Sequence, residues 1–250
     1  MILETLLVFV LGASIGSFLN VCIYRIPAGE SIVSPPSHCF ACGDKLGLVD
    51  LIPILSYFHL RGKCRRCGEP FSWQYPLVEF ATGFLFVLVF LRFAITWETL
   101  AGWVFLSILV AVTVIDIHHR IIPDKIVIAG LVLGLPLVAL QSWESLMWGV
   151  VAFFAAGLFM LAIMVISRGG MGMGDIKLAA LMGLYLGLMN VAVALFLAFL
   201  VGGVVGIALL VTRIKGRKDA VPFGPYLALG GFAALLWGNQ IVNWYMSLWC

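Results

Sequence analysis

Residues 191–211 read VAVALFLAFLVGGVVGIALLV, a continuous apolar stretch without one charged side chain. A membrane-spanning α-helix needs roughly 20 such residues, because the hydrocarbon core of a bilayer is about 30 Å thick. Hydrophobic residues make up 63% of the 250-residue chain and charged residues 11%, and the formal net charge is +3. This composition excludes a soluble globular protein, a disordered chain and a nucleic-acid-binding protein, because it leaves too little polar surface to face water. The long unbroken runs also differ from the alternating segments of a transmembrane β-barrel.

Eight stretches of this kind predict an all-α polytopic membrane protein with about eight transmembrane helices in the lipid bilayer. They are Ile2–Tyr24, Leu77–Ile95, Leu100–Ile115, Ile121–Leu140, Leu146–Ser167, Ile176–Leu188, Val191–Val211 and Tyr226–Trp249. Only a few residues around Asn190 separate the sixth stretch from the seventh. We interpret them as two helices, because a single run over 176–211 is too long for one crossing. In the first stretch, a face of small residues is suited to close helix packing; it comprises Gly12, Ala13, Gly16 and Ser17.

Basic residues follow the first, third, fifth and seventh stretches, and the last of these basic loops contains a cluster at 213–218. The loops between them contain Glu98, Glu144 and Asn190 instead. By the positive-inside rule, the basic loops are cytoplasmic and the N-terminus lies outside.

One long hydrophilic stretch, residues 25–76, interrupts the apolar sequence. It contains two CxxC pairs, Cys39-Phe-Ala-Cys42 and Cys64-Arg-Arg-Cys67. Two such knuckles can complete a tetrahedral site of four thiolates, which suits structural zinc. Gly43 and Gly68 follow the second cysteine of each pair, where a knuckle often needs a positive φ. The alternatives are two disulfides or four free thiols, and a reducing cytosol argues against the disulfides.

These features predict three regions. Residues 1–24 form the first transmembrane helix, residues 25–76 a cytoplasmic four-cysteine zinc insert, and residues 77–250 the transmembrane core. Cysteine ligands fill every position of the metal site, so the metal is expected to be structural and not catalytic.

Acidic residues are rare in the apolar stretches, and an ionisable group at membrane depth is a functional candidate. Asp116 ends the third stretch in Thr-Val-Ile-Asp-Ile-His-His-Arg, and Asp175 opens the sixth in Gly-Met-Gly-Asp. The alternating topology places both at one membrane face, where they could meet. Two carboxylates that share a site cannot both ionise easily, so one can act as a base on water while the other acts as an acid on a carbonyl. The pair therefore points to aspartic-protease chemistry.

Simpler roles stay open for each of these residues. Asp175 could be a helix N-cap, and Asp116 could be an interfacial carboxylate paired with Arg120. Lys177 could be a counter-charge or a positive-inside anchor, and Asp124 an interfacial turn residue. Gly172 and Gly174 would permit backbone angles closed to other residues and let a peptide approach closely. Glu79 lies just inside the second stretch, where Arg25 or the basic insert could neutralise it.

Several of these motifs occur together in one order along nearly the whole chain. They are Gly16-Ser-Phe-Leu-Asn-Val-Cys-Ile-Tyr-Arg-Ile-Pro27, Ser37-His-Cys39, the two CxxC pairs, Tyr75-Pro-Leu-Val-Glu-Phe-Ala-Thr-Gly83, Ile115-Asp116, Ile122-Pro-Asp124, Gly172-Met-Gly-Asp175 and Pro222-Phe-Gly-Pro225. In this set the chain resembles the bacterial type IV prepilin peptidase family, whose members are GxGD-type aspartic endopeptidases of the inner membrane.

The resemblance implies that Asp116 and Asp175 are the catalytic pair and that 77–250 is the peptidase core. The substrate would be a prepilin or pseudopilin, cut on the cytoplasmic side after a Gly that ends a short basic leader. Many members also methylate the new N-terminus with S-adenosylmethionine, an activity associated with the insert. The Tyr75–Gly83 stretch with Glu79 is a candidate for that second site, although the insert has no GxGxxG nucleotide motif.

Three hypotheses follow: a bifunctional peptidase and methyltransferase, a peptidase alone whose insert docks substrate, and a transporter with Asp116 and Asp175 as proton-relay groups. The complete CxxC pairs favour the first over the second. Both Asp residues lie at one edge of the apolar stretches and not in their middle, which argues against the transporter.

Overall fold

The computed structural model describes residues 2–167, 170–213 and 221–248, and the regular structure in this part is helical apart from two isolated β-bridges. The α-helices are α1 Ile2–Arg25, α2 Leu55–His59, α3 Gln74–Phe93, α4 Trp97–His119, α5 Asp124–Gln141, α6 Trp143–Ile166, α7 Met173–Val211 and α8 Gly224–Ser247, with a 3₁₀ helix at Leu48–Leu51. Trp249, which was predicted to end the last span, and most of the basic cluster at 213–218 lie outside the described residues.

The prediction of an all-α polytopic membrane protein is confirmed. Among the described residues, six helices are long and apolar enough to cross a membrane, namely α1, α3, α4, α5, α6 and α7. Many large apolar side chains of these helices are exposed, including Phe154, Leu158 and Ile166 of α6. Such a surface suits hydrocarbon better than water.

Helix α7 contains a break that divides it into two segments, 173–186 and 188–211. At the break, Gly187 has φ 71° and ψ 175°, which is not a helical conformation. Residues with a Cβ atom rarely adopt this φ, so glycine is the residue suited to the position. The prediction of two helices in this region is therefore confirmed, with the break slightly before Asn190.

The chain forms two compact units, residues 1–95 and 96–250. The first contains α1, the polar insert and α3. A Cβ atom at Gly12 would lie 2.8 Å from the Cα atom of Gly83, and one at Gly16 would lie 2.7 Å from the Cα atom of Glu79. Helices α1 and α3 therefore pack at distances that only glycine allows, which confirms the predicted packing face on α1.

The second unit contains α4 to α8. Its core includes Phe105 and Ile115 of α4 and Leu181 of α7, all of them fully buried. Gly183 of α7 packs directly against the backbone of Ala152, and Gly230 of α8 packs against that of Ala194. Small residues thus let the backbones of this unit approach closely, as is common where helices pack in a membrane.

Candidate active site and metal centre

Asp116 lies in the last turns of α4 and is buried, with 5% of its surface exposed. Its Oδ2 atom accepts a hydrogen bond of 2.8 Å from the backbone N–H of Gly224, the first residue of α8. A helix N-terminus has backbone N–H groups without intrahelical partners. The start of α8 therefore supplies the donor that satisfies the Asp116 carboxylate.

Position 224 has no room for a side chain, so glycine is the residue that fits there. A Cβ atom there would lie 2.8 Å from Oδ2 of Asp116 and 3.2 Å from its Cβ and Cγ atoms. Any other residue would push the carboxylate away from the start of α8. Arg120, the alternative partner for Asp116, is exposed, and its backbone N–H caps α4 by donating to the Asp116 carbonyl. In the described parts of the chain, the Asp116 side chain forms no ion pair.

Asp175 is the third residue of α7. Its Oδ2 atom accepts a 3.3 Å hydrogen bond from the backbone N–H of Gly172, which is the N-cap residue. Asp175 is therefore not the N-cap residue considered for it, which is Gly172, but its carboxylate helps to cap α7 from the third position of the helix. The cap bond occupies one of the two carboxylate oxygens.

The fold of the second unit brings the two aspartates together. The carboxylates of Asp116 and Asp175 are close enough for the charge of one to act on the other. One is contributed by the end of α4 and the other by the start of α7, as the alternating topology predicts. Both carboxylates therefore belong to one candidate site.

The two glycines of the Gly-Met-Gly-Asp motif have a different role from the one expected. Gly172 has φ −74° and ψ 144°, an ordinary extended conformation, and Gly174 lies within α7 without a positive φ. The expectation of unusual backbone angles is therefore wrong for both. A Cβ atom at Gly174 would lie 2.7 Å from the Cβ atom of Ile122, so glycine lets the start of α7 pack against the segment before α5.

Lys177 forms an ion pair with Asp124, at 2.6 Å between Nζ and Oδ1. Both side chains are largely exposed. Lys177 is therefore paired with Asp124 in the first turn of α5, and not with Asp116 or Asp175. The pair links the same two segments that meet at Gly174.

The second candidate site is a cluster of four thiols in the polar insert. The sulfur atoms of Cys39, Cys42, Cys64 and Cys67 all lie within 4.8 Å of one another, and two of the separations are 3.7 Å and 4.0 Å. A tetrahedron with metal–sulfur bonds of about 2.3 Å has edges of about 3.8 Å. These separations therefore match a single metal ion. All four are free cysteines, so the disulfide alternative is wrong.

The two halves of the cluster have the same local geometry. Gly43 has φ 70° and donates its N–H to the carbonyl of Cys39, and Gly68 has φ 75° and donates to that of Cys64, at 2.9 and 3.0 Å. The positive φ predicted for these glycines is confirmed. One isolated antiparallel bridge flanks each knuckle, between His38 and Lys45 and between Lys63 and Pro70.

The four thiols affect one another's ionisation. The backbone N–H groups of Cys67 and Arg66 donate to the sulfur of Cys64 and lower its pKa to about 7. The N–H of Glu69 donates to Cys67, but desolvation and the neighbouring thiols, Cys64 first among them, raise the pKa of Cys67 to about 12. The neighbouring thiols thus oppose the ionisation of Cys67. A bound cation would offset this effect, because metal ligation requires thiolates and stabilises them.

Glu79 of α3 is buried, with 7% of its surface exposed. Its Oε2 atom accepts a 2.7 Å hydrogen bond from the backbone N–H of Ile54, just before α2. Ile54 has φ 65°, a strained conformation for a β-branched residue. Glu79 therefore connects the membrane helix to the polar insert, and in the described residues it forms no ion pair with Arg25 or the basic insert.

Comparison with known proteins identifies the family. Residues 103–207 match the model of the type IV leader peptidase family, and the chain is 37% identical to a prepilin leader peptidase/N-methyltransferase of Bacillus subtilis (strain 168), with 97% of this chain and 98% of that protein covered. The chain belongs to the type IV leader peptidase family. Residues 10–93 of this leader peptidase family member match the bacterial peptidase A24 N-terminal domain.

Two further relatives of this family member have the same name. One, from Aeromonas hydrophila, is 36% identical, covering 96% of this chain and 93% of that protein. Another, from Pseudomonas aeruginosa, is 34% identical, covering 95% of this chain and 91% of that protein. No solved structure matches the chain.

Two contacts at these sites were not predicted from the sequence. The first is the hydrogen bond from Gly224 to Asp116, although the Pro222-Phe-Gly-Pro225 motif that contains this glycine was noted. The second is the bond from Ile54 to Glu79. A Pro after a Gly at the start of an apolar stretch is a signal for a helix N-terminus, but it does not identify the carboxylate that the helix meets.

Proposed function

We propose that this protein is an aspartic endopeptidase of the bacterial inner membrane that removes the leader of type IV prepilins or pseudopilins, and that it methylates the new N-terminus with S-adenosylmethionine. The relatives from three organisms are all named prepilin leader peptidase/N-methyltransferase. The observation that supports the peptidase function is the placement of Asp116 at the end of α4 and Asp175 at the start of α7 within one compact unit.

The two carboxylates divide the work of peptide hydrolysis. One is ionised and takes a proton from a water molecule, which then attacks the carbonyl carbon of the leader Gly. The other is protonated and donates to the carbonyl oxygen. The amide nitrogen then leaves with a proton, and each carboxyl returns to its starting state.

The position of the pair suits a substrate with a basic leader and an apolar helix. Both aspartates lie at ends of apolar helices, so the leader can remain in water while the helix stays in the bilayer. We propose that this edge is cytoplasmic and that the N-terminus of α1 is outside, because the basic loops follow α1 and α4.

We propose zinc as the ion of the four-cysteine cluster. Four thiolates with separations near a tetrahedral edge favour zinc among the common biological cations. When bound, zinc would offset the negative charge of the four thiolates and hold the two knuckles together. Its ligands would be Cys39, Cys42, Cys64 and Cys67. The insert at 25–76 would then be the region associated with methyl transfer, and the two aspartates of the peptidase would lie within 77–250, in the second compact unit.

The proposal is tested with purified protein and a peptide that has a basic leader, a Gly–Phe junction and an apolar helix. Mass spectrometry of the product is expected to show cleavage after Gly and one added methyl group when S-adenosylmethionine is supplied. Cleavage without methylation would support the alternative of a peptidase whose insert only docks substrate. Absence of cleavage would refute the peptidase function.

Replacement of Gly224 by Ala tests the contact that positions Asp116. The new methyl group would clash with Oδ2 of Asp116 and displace the carboxylate. A displacement of about 1 Å can reduce catalysis about 100-fold, so kcat for leader cleavage is expected to fall by about one to two orders of magnitude. Gly203→Ala in α7 is the matched control, because nothing lies within 4 Å of a Cβ atom there. Equal cleavage by the two variants would show that the position of the Asp116 carboxylate does not matter.

A further inference from the structure

The first unit contains a cavity formed by α1, α3 and the polar insert. Its volume is about 120 Å³. The polar and aromatic side chains that matter here are Asn20, Tyr24 and Arg25 of α1, Asp50 of the 3₁₀ helix, and Tyr75 and Glu79 of α3. The Tyr75–Gly83 stretch, a candidate for the methyl-transfer site, contributes Tyr75 and Glu79 to this cavity, which lies where the insert meets the membrane helices of the same unit.

The cavity is larger than a site for a single ion or one ordered water. Its lining, more than its volume, indicates the kind of ligand that it suits.

Opposite charges are buried together in this cavity. The Arg25 guanidinium is 8% exposed and donates to two backbone carbonyls, those of Ser31 at 3.0 Å and Pro36 at 3.5 Å. The Glu79 carboxylate accepts a bond from the Ile54 N–H, and the Ser17 hydroxyl also donates to it. In the described chain, neither charge has an ion-pair partner. A buried charge without a partner is costly, so each is suited to an opposite charge on a ligand.

The cavity also offers a flat aromatic surface and an unused hydrogen-bond acceptor. The rings of Tyr24 and Tyr75 are stacked, with centroids 5.5 Å apart and an interplanar angle of 15°. Asn20 is 2% exposed; its Nδ2 donates to the Tyr75 carbonyl, but its buried Oδ1 has no hydrogen-bond partner. A buried acceptor without a donor calls for a ligand or water in a native structure.

We propose that this cavity is the binding site for S-adenosylmethionine. The ligand matches the lining group by group: its carboxylate meets Arg25, its positively charged sulfonium and ammonium meet Glu79, and its adenine lies against the tyrosine pair. An N–H or O–H of the adenosine donates to Oδ1 of Asn20. The proposal rests on the methyltransferase part of the proposed function and gives that activity a location.

The reaction at this site balances without another cofactor. The lone pair of the uncharged N-terminal amine attacks the methyl carbon, and the carbon–sulfur bond breaks with its electron pair moving to sulfur. The products are the methylated amine, S-adenosylhomocysteine and a proton released to solvent. The acceptor amine is the one that leader cleavage frees.

Two variants of the full-length protein test the location. Glu79→Gln removes the negative charge and keeps an oxygen to accept from Ile54, and Ser56→Phe fills the cavity from α2. Each is expected to weaken equilibrium binding of radiolabelled S-adenosylmethionine about tenfold or more, while zinc content and leader cleavage stay at the wild-type level. Glu30→Gln, an exposed carboxylate in the same unit, is the control and should bind as the wild type does.

Each outcome decides the proposal. Unchanged affinity in both variants, in a protein that transfers methyl groups, would overturn the location while leaving the methyltransferase function intact. A wild-type protein that cleaves the leader but neither binds S-adenosylmethionine nor transfers methyl groups would refute the methyltransferase function itself. Photolabelling of the wild-type protein with labelled S-adenosylmethionine is an independent test: the label is expected within 17–79, and label confined to other residues would refute the site even if a variant misfolds.

Discussion

Asp116→Asn and Asp175→Asn are each expected to abolish leader cleavage, with a loss in kcat of at least about 10³-fold. Asparagine keeps the size of the side chain and an oxygen that can accept from Gly224 or Gly172, but it can neither take a proton from water nor donate one as an acid. Groups that act as one unit lose most of their effect when either is removed. The measurement is single-turnover cleavage of the prepilin-like peptide by each purified variant.

A matched control separates loss of chemistry from loss of fold. Glu144→Gln makes the same carboxylate-to-amide change at an exposed position in the first turn of α6. It should cost at most about 1 kcal/mol of helix stability and leave cleavage unchanged. Appreciable cleavage by either Asn variant would mean that the two aspartates are structural.

The same variants show whether the two activities use separate sites. The cavity with Glu79 belongs to the first unit, and Asp116 and Asp175 belong to the second. We therefore expect the Asn variants to bind S-adenosylmethionine with wild-type affinity. They should also methylate a peptide that lacks the leader and begins with Phe, whose N-terminal amine is already free.

The metal centre is the part of the protein that the sequence predicts best. A CxxC knuckle is local, because the two thiols and the following glycine are set by a single turn of the backbone. Gly43 and Gly68 accordingly have the positive φ that their positions predict. The two knuckles must also lie side by side, and this is expected because one metal ion needs all four thiolates as ligands.

The helical architecture follows from the apolar stretches, but their ends and breaks do not. Hydropathy measures length and composition, and the stretch from 176 to 211 is apolar throughout. The break at Gly187 depends on backbone conformation, which is not visible in hydropathy. The polar residue Asn190 interrupts the apolar stretch close to the break. It therefore predicts two segments correctly, but places the division between them a few residues after Gly187.

Contacts between distant segments are the least predictable from the sequence. Gly224 meets Asp116 because α8 begins beside the end of α4, and no local pattern in either segment encodes that meeting. The same holds for Glu79, whose partner is a backbone N–H in the insert instead of the cation that charge patterning suggested. Sequence patterns thus identify the ionisable groups of this protein, whereas tertiary packing determines what each one meets.

Replacement of Cys39 or Cys64 by Ser is expected to remove the metal and to disable methyl transfer more than cleavage. Both thiols are buried in the cluster, and three remaining ligands would leave the tetrahedron incomplete. Structural zinc contributes about 10–16 kcal/mol to the folding of small zinc domains, and an insert of this length has little core of its own. Loss of the ion should therefore unfold the insert, while Asp116 and Asp175 lie in the other unit.

Metal analysis of the purified protein gives the decisive number, with about one zinc per chain expected for the wild type and much less for the two variants. Cys22→Ala is the matched control, because Cys22 is a buried cysteine of α1 that lies outside the cluster. It should retain both zinc and methyl transfer. If the Cys39 and Cys64 variants also kept full zinc, the four-cysteine site would be wrong. If they lost cleavage as completely as methylation, the insert would be required for the peptidase as well. The two activities would then not be separable by unit.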